Sequence, residues 1–254
     1  MTAFLLPTYS LWSRDLKHFL RQRSRVIGAI GQPFVIWIFL SAGFRHSVDA
    51  GTADYGVYLF PGIILLIALF AAIFSTISVI EDRKSGFLQG VLVSPAPRAA
   101  IVWSKMLAGT TIALAQSLLF LLLLPLAGFT PSLPGIGLGA LILFGVGMTL
   151  TALGFLIAWS MTSTQGFHAI MNLLLLPMWL LSGAFFPPSG VAAWLDVVIR
   201  LNPLYYVNSL FQRVFFLGST VALPGGPPLE LAIAVSTGLF LLLLFASIRM
   251  VKRS

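Results

Sequence analysis

The sequence predicts an all-α membrane protein, and three observations carry that prediction. Of 254 residues, 58% are hydrophobic and only 9% charged, against about 45–50% and about 25% in soluble domains. Six runs are almost free of ionisable side chains, and each is near the roughly 20 residues that a helix needs to cross a hydrocarbon core about 30 Å thick. A transmembrane β-barrel would show alternation in segments of about 10 residues, and stretches such as "LLLLPL" and "LFLLLLF" do not alternate.

The elements follow in order. Residues 1–25 form a basic arm in which "TYSLWSRDLKHFLRQRSR" places Leu11, Trp12, Leu16, Phe19 and Leu20 at helical spacing among cations. That is the pattern of an amphipathic helix lying in the membrane interface, with a simple topology anchor as the alternative. The following apolar run is longer than the 7–15 residues of a secretory signal, so an uncleaved first span is expected. The six-helix domain occupies residues 26–248, with spans at about 26–44, 57–80, 106–130, 136–160, 167–186 and 229–248, and residues 249–254 are a basic tail. All but Arg45, Arg200 and Arg213 of the 15 Lys and Arg residues fall in the arm, the loop between spans two and three, or the tail. Cytoplasmic loops are enriched in these residues, so both termini are expected in the cytoplasm of a bacterial or archaeal-type cell (inner) membrane. The net charge of +8 is then a topology signal, with contact to anionic lipid as a second use, and nucleic acid is not an expected partner. Between spans five and six, "GAFFPPSGVAAWLDVVIR" and the helix-like stretch after it predict short re-entrant helices on the external side.

Several chemistries are disfavoured. There is no cysteine, hence no disulfide, thiolate metal site or cysteine nucleophile. His18, His46 and His168 are far apart in sequence and share no layer with acids, so neither a catalytic group nor a metal site is expected. Ion-coupled pumps keep ionisable residues within their spans, and here His168 alone stands near such a position. The chain contains no Gly-Lys dipeptide and therefore no phosphate-binding P-loop. Uphill transport would need energy from another chain.

The one long polar interruption, "EDRKSGFLQGVLVSPAPR" from Glu81 to Arg98, is where a partner is expected. Acids favour a helix N-terminus, so Glu81 and Asp82 predict a new helix starting there. Phe87, Leu88, Val91 and Leu92 give it one apolar face. Ser94 before Pro95 predicts an N-cap with proline in the first turn of the next helix. Composition alone leaves open whether this knob lies on lipid or on a protein.

With the residues that follow it, "EDRKSGFLQGVLVSPAPRAAIVWSK" resembles the cytoplasmic signature of type-2 ATP-binding-cassette exporter permeases, the membrane subunits of drug, polysaccharide and lipid exporters. "RLNPLYYVNSLFQRVFF" is similar to the external Asn-Pro…Tyr…Arg stretch of that family, with Arg213 one residue later than in its commonest pattern. The resemblance covers essentially the whole chain. It implies a permease that pairs with a second copy or close homologue and with two cytoplasmic ATPase chains, which bind the ATP and Mg; this chain itself holds no cofactor.

The resemblance also implies residue roles. The short helix would dock in a groove of the ATPase through Glu81, Asp82, Arg83, Lys84, Gly86, Phe87, Leu88, Leu92, Ser94, Pro95 and Arg98, with Phe87, Leu88 and Leu92 as its apolar plug. Gln165 and Phe167 would form a second cytoplasmic contact, and Asn202, Pro203, Tyr206 and Arg213 the external motif. A cargo path along spans one, two and five would use Gln32, Pro33, Asn172 and Pro177, which alternatively serve helix packing, as Gly137, Gly139, Gly145, Gly147 and Gly154 of span four are expected to do. Short external loops favour a small amphiphile, a lipid or a lipid-linked glycan over bulky polysaccharide. Two rivals stand beside export: a polytopic enzyme acting on lipids, and a non-transporting membrane assembly factor.

Overall fold

The computed structural model describes residues 2–21, 23–44, 54–188, 191–219 and 225–253, with backbone alone at 2–3, 23–30 and 253. Arg45 and His46 lie outside the described residues. Within them the chain is helical and carries no strand: α1 (Thr2–Arg21), α2 (Arg23–Phe44), α3 (Tyr55–Ser75), α4 (Ile77–Lys84), α5 (Phe87–Leu92), α6 (Arg98–Leu121), α7 (Leu133–Ser160), α8 (Thr164–Leu180), α9 (Ala193–Leu201), α10 (Pro203–Phe215) and α11 (Leu229–Arg253).

Among the described residues, four segments are long and apolar enough to cross a membrane: Tyr55–Lys84, Arg98–Leu121, Leu133–Ser160 and Leu229–Lys252. Shorter apolar helix continues at Gly31–Phe44, and α8 has 17 residues. The protein is a multi-pass, all-α membrane protein.

α3 is the central post. It is apolar on every side, the pattern of a helix buried all round, and it packs against α2, α6, α7 and α10. Asp54 caps it, accepting from the Gly56 amide at 2.9 Å. Trp37 of α2 donates Nε1 to the Gly56 carbonyl at 3.0 Å and meets Phe60 edge to face at 5.4 Å. In contrast, only 17% of the apolar window of α11 is buried, against 72% for α3 with α4, so α11 forms an outer wall.

At Thr76 the post bends. The Thr76 hydroxyl donates to the Ile73 carbonyl at 2.6 Å, separating α3 from α4 at a place where neighbouring helices come very close. A Cβ on Gly154 would stand 2.8 Å from Thr76 Oγ1, one on Gly147 3.0 Å from Thr110 Cγ2, and one on Gly109 2.6 Å from Thr151. Small residues thus let α6, α7 and the α3–α4 bend touch at backbone distance. Gly137 and Gly145, expected in the same role, face open space instead.

The fifth apolar run, expected to 186, ends as a helix at Leu180. Gly183 adopts φ 74 in the following turns, and the Pro187-Pro188 pair cannot continue a helix because it lacks amide donors. The third run begins earlier than expected, at Arg98, and breaks beyond Leu121 into a 3₁₀ turn at Leu124–Ala127 containing Pro125.

Candidate functional site

The loop region anticipated from the sequence lies at the end of the bundle that carries α1, α4, α5, the start of α6 and the end of α11. Its geometry differs from expectation in an instructive way. Glu81 and Asp82 do not start a helix; they lie in the last turns of α4. Asp82 sits there because cations stabilise it more directly than a helix N-terminus would. Arg14 of α1 grips it with two guanidinium nitrogens, at 2.6 and 3.2 Å. Lys105 of α6 reaches its other side at 2.6 Å.

Asp15 closes the group, 2.8 Å from Lys105 Nζ and 3.1 Å from Arg14. Two acids and two bases from three helices therefore form one neutral cluster, with Asp82 4% and Lys105 5% exposed. Ser78 of α4 takes a further bond from Lys105 at 3.0 Å. Burial alone would lower the Arg14 pKa, but the hydrogen bond and charge of Asp82, then those of Asp15, outweigh it and hold the pKa above its ordinary value. Breaking such a buried set by removing one member typically costs about 3–5 kcal/mol, because it strands a charge out of water. The cluster thus ties α1, α4 and α6 into one mechanical unit.

The neighbouring cations serve other helices. Arg83 donates to the carbonyls of Trp159 and Met161 at 2.7 and 3.1 Å and stands over the Trp159 ring at 5.3 Å, satisfying the C-terminal carbonyls of α7. Arg98 does the same for α11, donating to the Lys252 carbonyl at 2.9 Å. Lys84 is exposed and Glu81 half-buried. Asp82 and Arg83, neighbours in sequence, therefore hold different helices.

α5 begins after Gly86, whose φ of 76 is a conformation that favours glycine. Leu88, expected in an exposed plug, is 4% exposed and belongs to the core, with Val91 and Leu92 packed against that core. Burying the stripe inward leaves Phe87, Gln89, Gly90 and Val93 facing out, Val93 at 86% exposure. The Arg14 guanidinium lies 3.8 Å above the Phe87 ring, so the exposed aromatic rests on the cluster.

Ser94 does not cap α6. Its hydroxyl donates to the Val91 carbonyl at 2.7 Å, closing α5, and α6 starts only at Arg98 after Pro97. Residues preceding proline avoid helical angles, so with Pro95 and Pro97 the chain runs through bends at 94–96 and resumes a helix only once both are passed. Of the expected second contact, Gln165 is exposed, while Phe167 is fully buried and meets Phe74 at 6.4 Å.

At the opposite end, Asn202 caps α10, accepting from the Leu204 amide at 3.0 Å and donating to the Met178 carbonyl at 2.6 Å, with Pro203 in the first turn. The Tyr206 hydroxyl donates to the Arg200 carbonyl at 2.9 Å, and Arg213 donates to the Pro227 carbonyl. This motif fastens α8, α9, α10 and the approach to α11.

A family model described as "ABC-2 type transporter" matches residues 7–216, a stretch that begins in α1 and ends just after α10. The chain belongs to the ABC-2 type transporter family. It is similar to ycf38 of Cyanophora paradoxa, named as a transport permease, with 25% identity over 84% of this chain and 81% of that protein. It is also similar to DrrC of Mycobacterium tuberculosis, named as a doxorubicin resistance ABC transporter permease, with 25% identity over 87% and 80%. YbhR of Escherichia coli, named as a multidrug ABC transporter permease, shares 27% identity over 64% of this chain and 44% of its own length. As an ABC-2 permease the chain is a transmembrane component of an ABC transporter, and membership implies partnership with an ATP-binding-cassette ATPase.

In this ABC-2 permease the expected cargo residues separate. Gln32 and Pro33 line a cavity of about 250 Å³ with Phe70, Phe74, Gln116 and His168. Asn172 and Pro177 are exposed on α8 and are not part of that lining. The residues that sequence reasoning missed are Asp15 and the role of Lys105. Both carried a signal: Asp15 is the only acid in the basic arm, and Lys105 is a lone cation entering an apolar run.

Proposed function

We propose that this permease moves a small amphiphile, a lipid or a lipid-linked glycan out of the cell, driven by a separate ATPase. The basic end faces the cytoplasm, since short cytoplasmic segments carry the excess of Lys and Arg. Two permeases, as a homodimer or with a close homologue, join two ATPase chains that hold ATP and Mg. Phe87, Gln89 and Val93 provide the contact with the ATPase.

The observation that carries this reading is the buried cluster of Arg14, Asp15, Asp82 and Lys105 directly beneath α5. A push on α5 reaches the core through Leu88, and the cluster passes it to α1, α4 and α6 together. The bend at Thr76 lies on the same path, next to the backbone-close layer at Gly109 and Gly154. The cavity around Gln32, Gln116 and Phe74 lies where that bend would reshape it. Relatives named for multidrug transport and doxorubicin resistance support a small-molecule cargo.

The test is reconstitution in vesicles with and without the ATPase chain. ATP-dependent movement of a dye or fluorescent lipid is expected only with both chains present. Movement that is independent of ATP, or failure of any ATPase chain to co-purify, would falsify the proposal.

A further inference from the structure

At the end of the bundle away from the ion cluster, a cavity of about 260 Å³ is walled by Asn208, Ser209, Gln212 and Arg213 of α10 and faced by Gly183 and Gly226. One buried polar atom of that wall has no partner among the described residues. Asn208 is 2% exposed and gives its Nδ2 to the Ser182 carbonyl at 3.3 Å, but its Oδ1 accepts nothing from them. Gln212, 8% exposed, hydrogen-bonds Tyr58 through its side-chain amide, whose nitrogen carries two hydrogens and so keeps one to give. Buried polar groups are paired in roughly 90% of cases or more, so an orphaned acceptor beside a spare donor calls for a guest that offers both a donor and an acceptor.

The chemistry narrows that guest. Among the described residues Arg213 forms no ion pair and no carboxylate lines the cavity, so the described wall is positive and favours an anion. A zwitterion with an ammonium group would find no counter-charge, whereas a hydroxyl can donate to Asn208 Oδ1. The volume lies below the roughly 300–1,000 Å³ of drug-sized pockets, which limits the guest to head-group size. Both glycines keep the space open: a Cβ at Gly226 would stand 2.8 Å from Ser209 Oγ, and one at Gly183, where φ is +74, would lie 3.7 Å from Asn208 Nδ2.

We propose that this cavity binds a small hydroxylated anion of the glycerol phosphate class, its phosphate held by Arg213 and Gln212 Nε2 and a hydroxyl by Asn208 Oδ1. The ligand is either a free molecule or the head group of a phosphatidylglycerol lipid. Only the side of the membrane rests on the orientation proposed above; the site itself rests on its own residues.

The test is binding to the full-length permease in a neutral detergent, read by native mass spectrometry and by the ligand-induced shift in thermal unfolding. The probes are glycerol 3-phosphate, phosphatidylglycerol and phosphatidylcholine, whose head group has no hydroxyl. Binding of either hydroxylated probe is expected to weaken about ten-fold or more in Arg213→Gln, the loss of one charge-assisted contact. Ser209→Asp adds the missing carboxylate, so it should bind as weakly while the ligand-free protein keeps or gains stability. Binding of phosphatidylglycerol alone assigns the lipid as the source, and binding of glycerol 3-phosphate in detergent assigns the free molecule as sufficient; both support the site. No binding of either, equal binding of phosphatidylcholine, or binding unchanged in both variants overturns it. Because the readout is binding, the proposal can fail while ATP-driven transport stands, and the reverse.

Discussion

The two ends of the bundle treat buried polarity in opposite ways. At the basic end Asp15, Asp82 and Lys105 are buried charges, and each is matched by another within 3 Å. At the far end Asn208 and Gln212 are neutral amides that are just as buried, and Asn208 Oδ1 has no partner among the described residues. A buried set in which every charge lies within ion-pair distance of an opposite one is costly to break, so it behaves as a joint between helices. An incompletely paired neutral set leaves room for something to enter. That difference is what the two proposals above build on, with force transmission at one end and recognition at the other.

The largest effect belongs to the joint. Lys105→Ala should lower the unfolding free energy in detergent by about 3–5 kcal/mol, since Asp15 and Asp82 are left with Arg14 alone. The double variant Asp82→Leu, Lys105→Met removes one charge of each sign and leaves Arg14 beside Asp15. Thermal unfolding should recover most of the loss in it, while ATP-driven transport should not return. If transport returns with stability, the cluster is only a structural anchor and the contrast between the ends disappears.

Next comes the close-packed layer of α6, α7 and the Thr76 region. Gly154→Leu puts a side chain where a single Cβ would already stand 2.8 Å from Thr76 Oγ1 and 3.1 Å from Ile73 Cα. Overpacking of this kind costs about 1–3 kcal/mol. Gly145→Leu, on the open face of the same helix, should cost little, and the pair of melting curves measures how local the close approach is.

These positions also show what the sequence could and could not say. The all-α class was legible because only helices and closed barrels satisfy a backbone in lipid, and the long apolar runs do not alternate as barrel strands do. The importance of 81–98 was legible as a polar interruption between apolar runs. The helix start at Glu81 was misread because the dipole argument considers only the local helix, whereas Asp82 is held by residues 68 and 23 positions away. Leu88 was misread for the same reason: an apolar stripe on six residues says that one face is covered and leaves open by what. Gly147 and Gly145 are indistinguishable in sequence, and only the neighbouring helix separates them.

A smaller effect belongs to the far end. Asn202→Ala removes the cap of α10 and the bond to Met178, and caps of this type are worth about 1 kcal/mol, within a range of about 0.5–2. Tyr206→Phe, which removes one exposed bond, should cost less still. If Asn202→Ala proves as damaging as Lys105→Ala, the far end is as much a joint as the near one.

The smallest effect on stability is the most informative for function. Val93 is 86% exposed at the end of α5, so Val93→Asp should shift the unfolding free energy by no more than about 0.5 kcal/mol, as for other surface substitutions. Solvent reaches this side chain in the isolated permease, but an ATPase seated on α5 would cover it, and a carboxylate buried there without a partner is strongly unfavourable. The expected result is a permease that melts normally and no longer co-purifies with its ATPase. Leu88→Asp would lose both properties, because Leu88 belongs to the core. If Val93→Asp leaves association intact, the outward face of α5 is not the contact, and the force proposed to pass through the ion cluster must enter the bundle elsewhere.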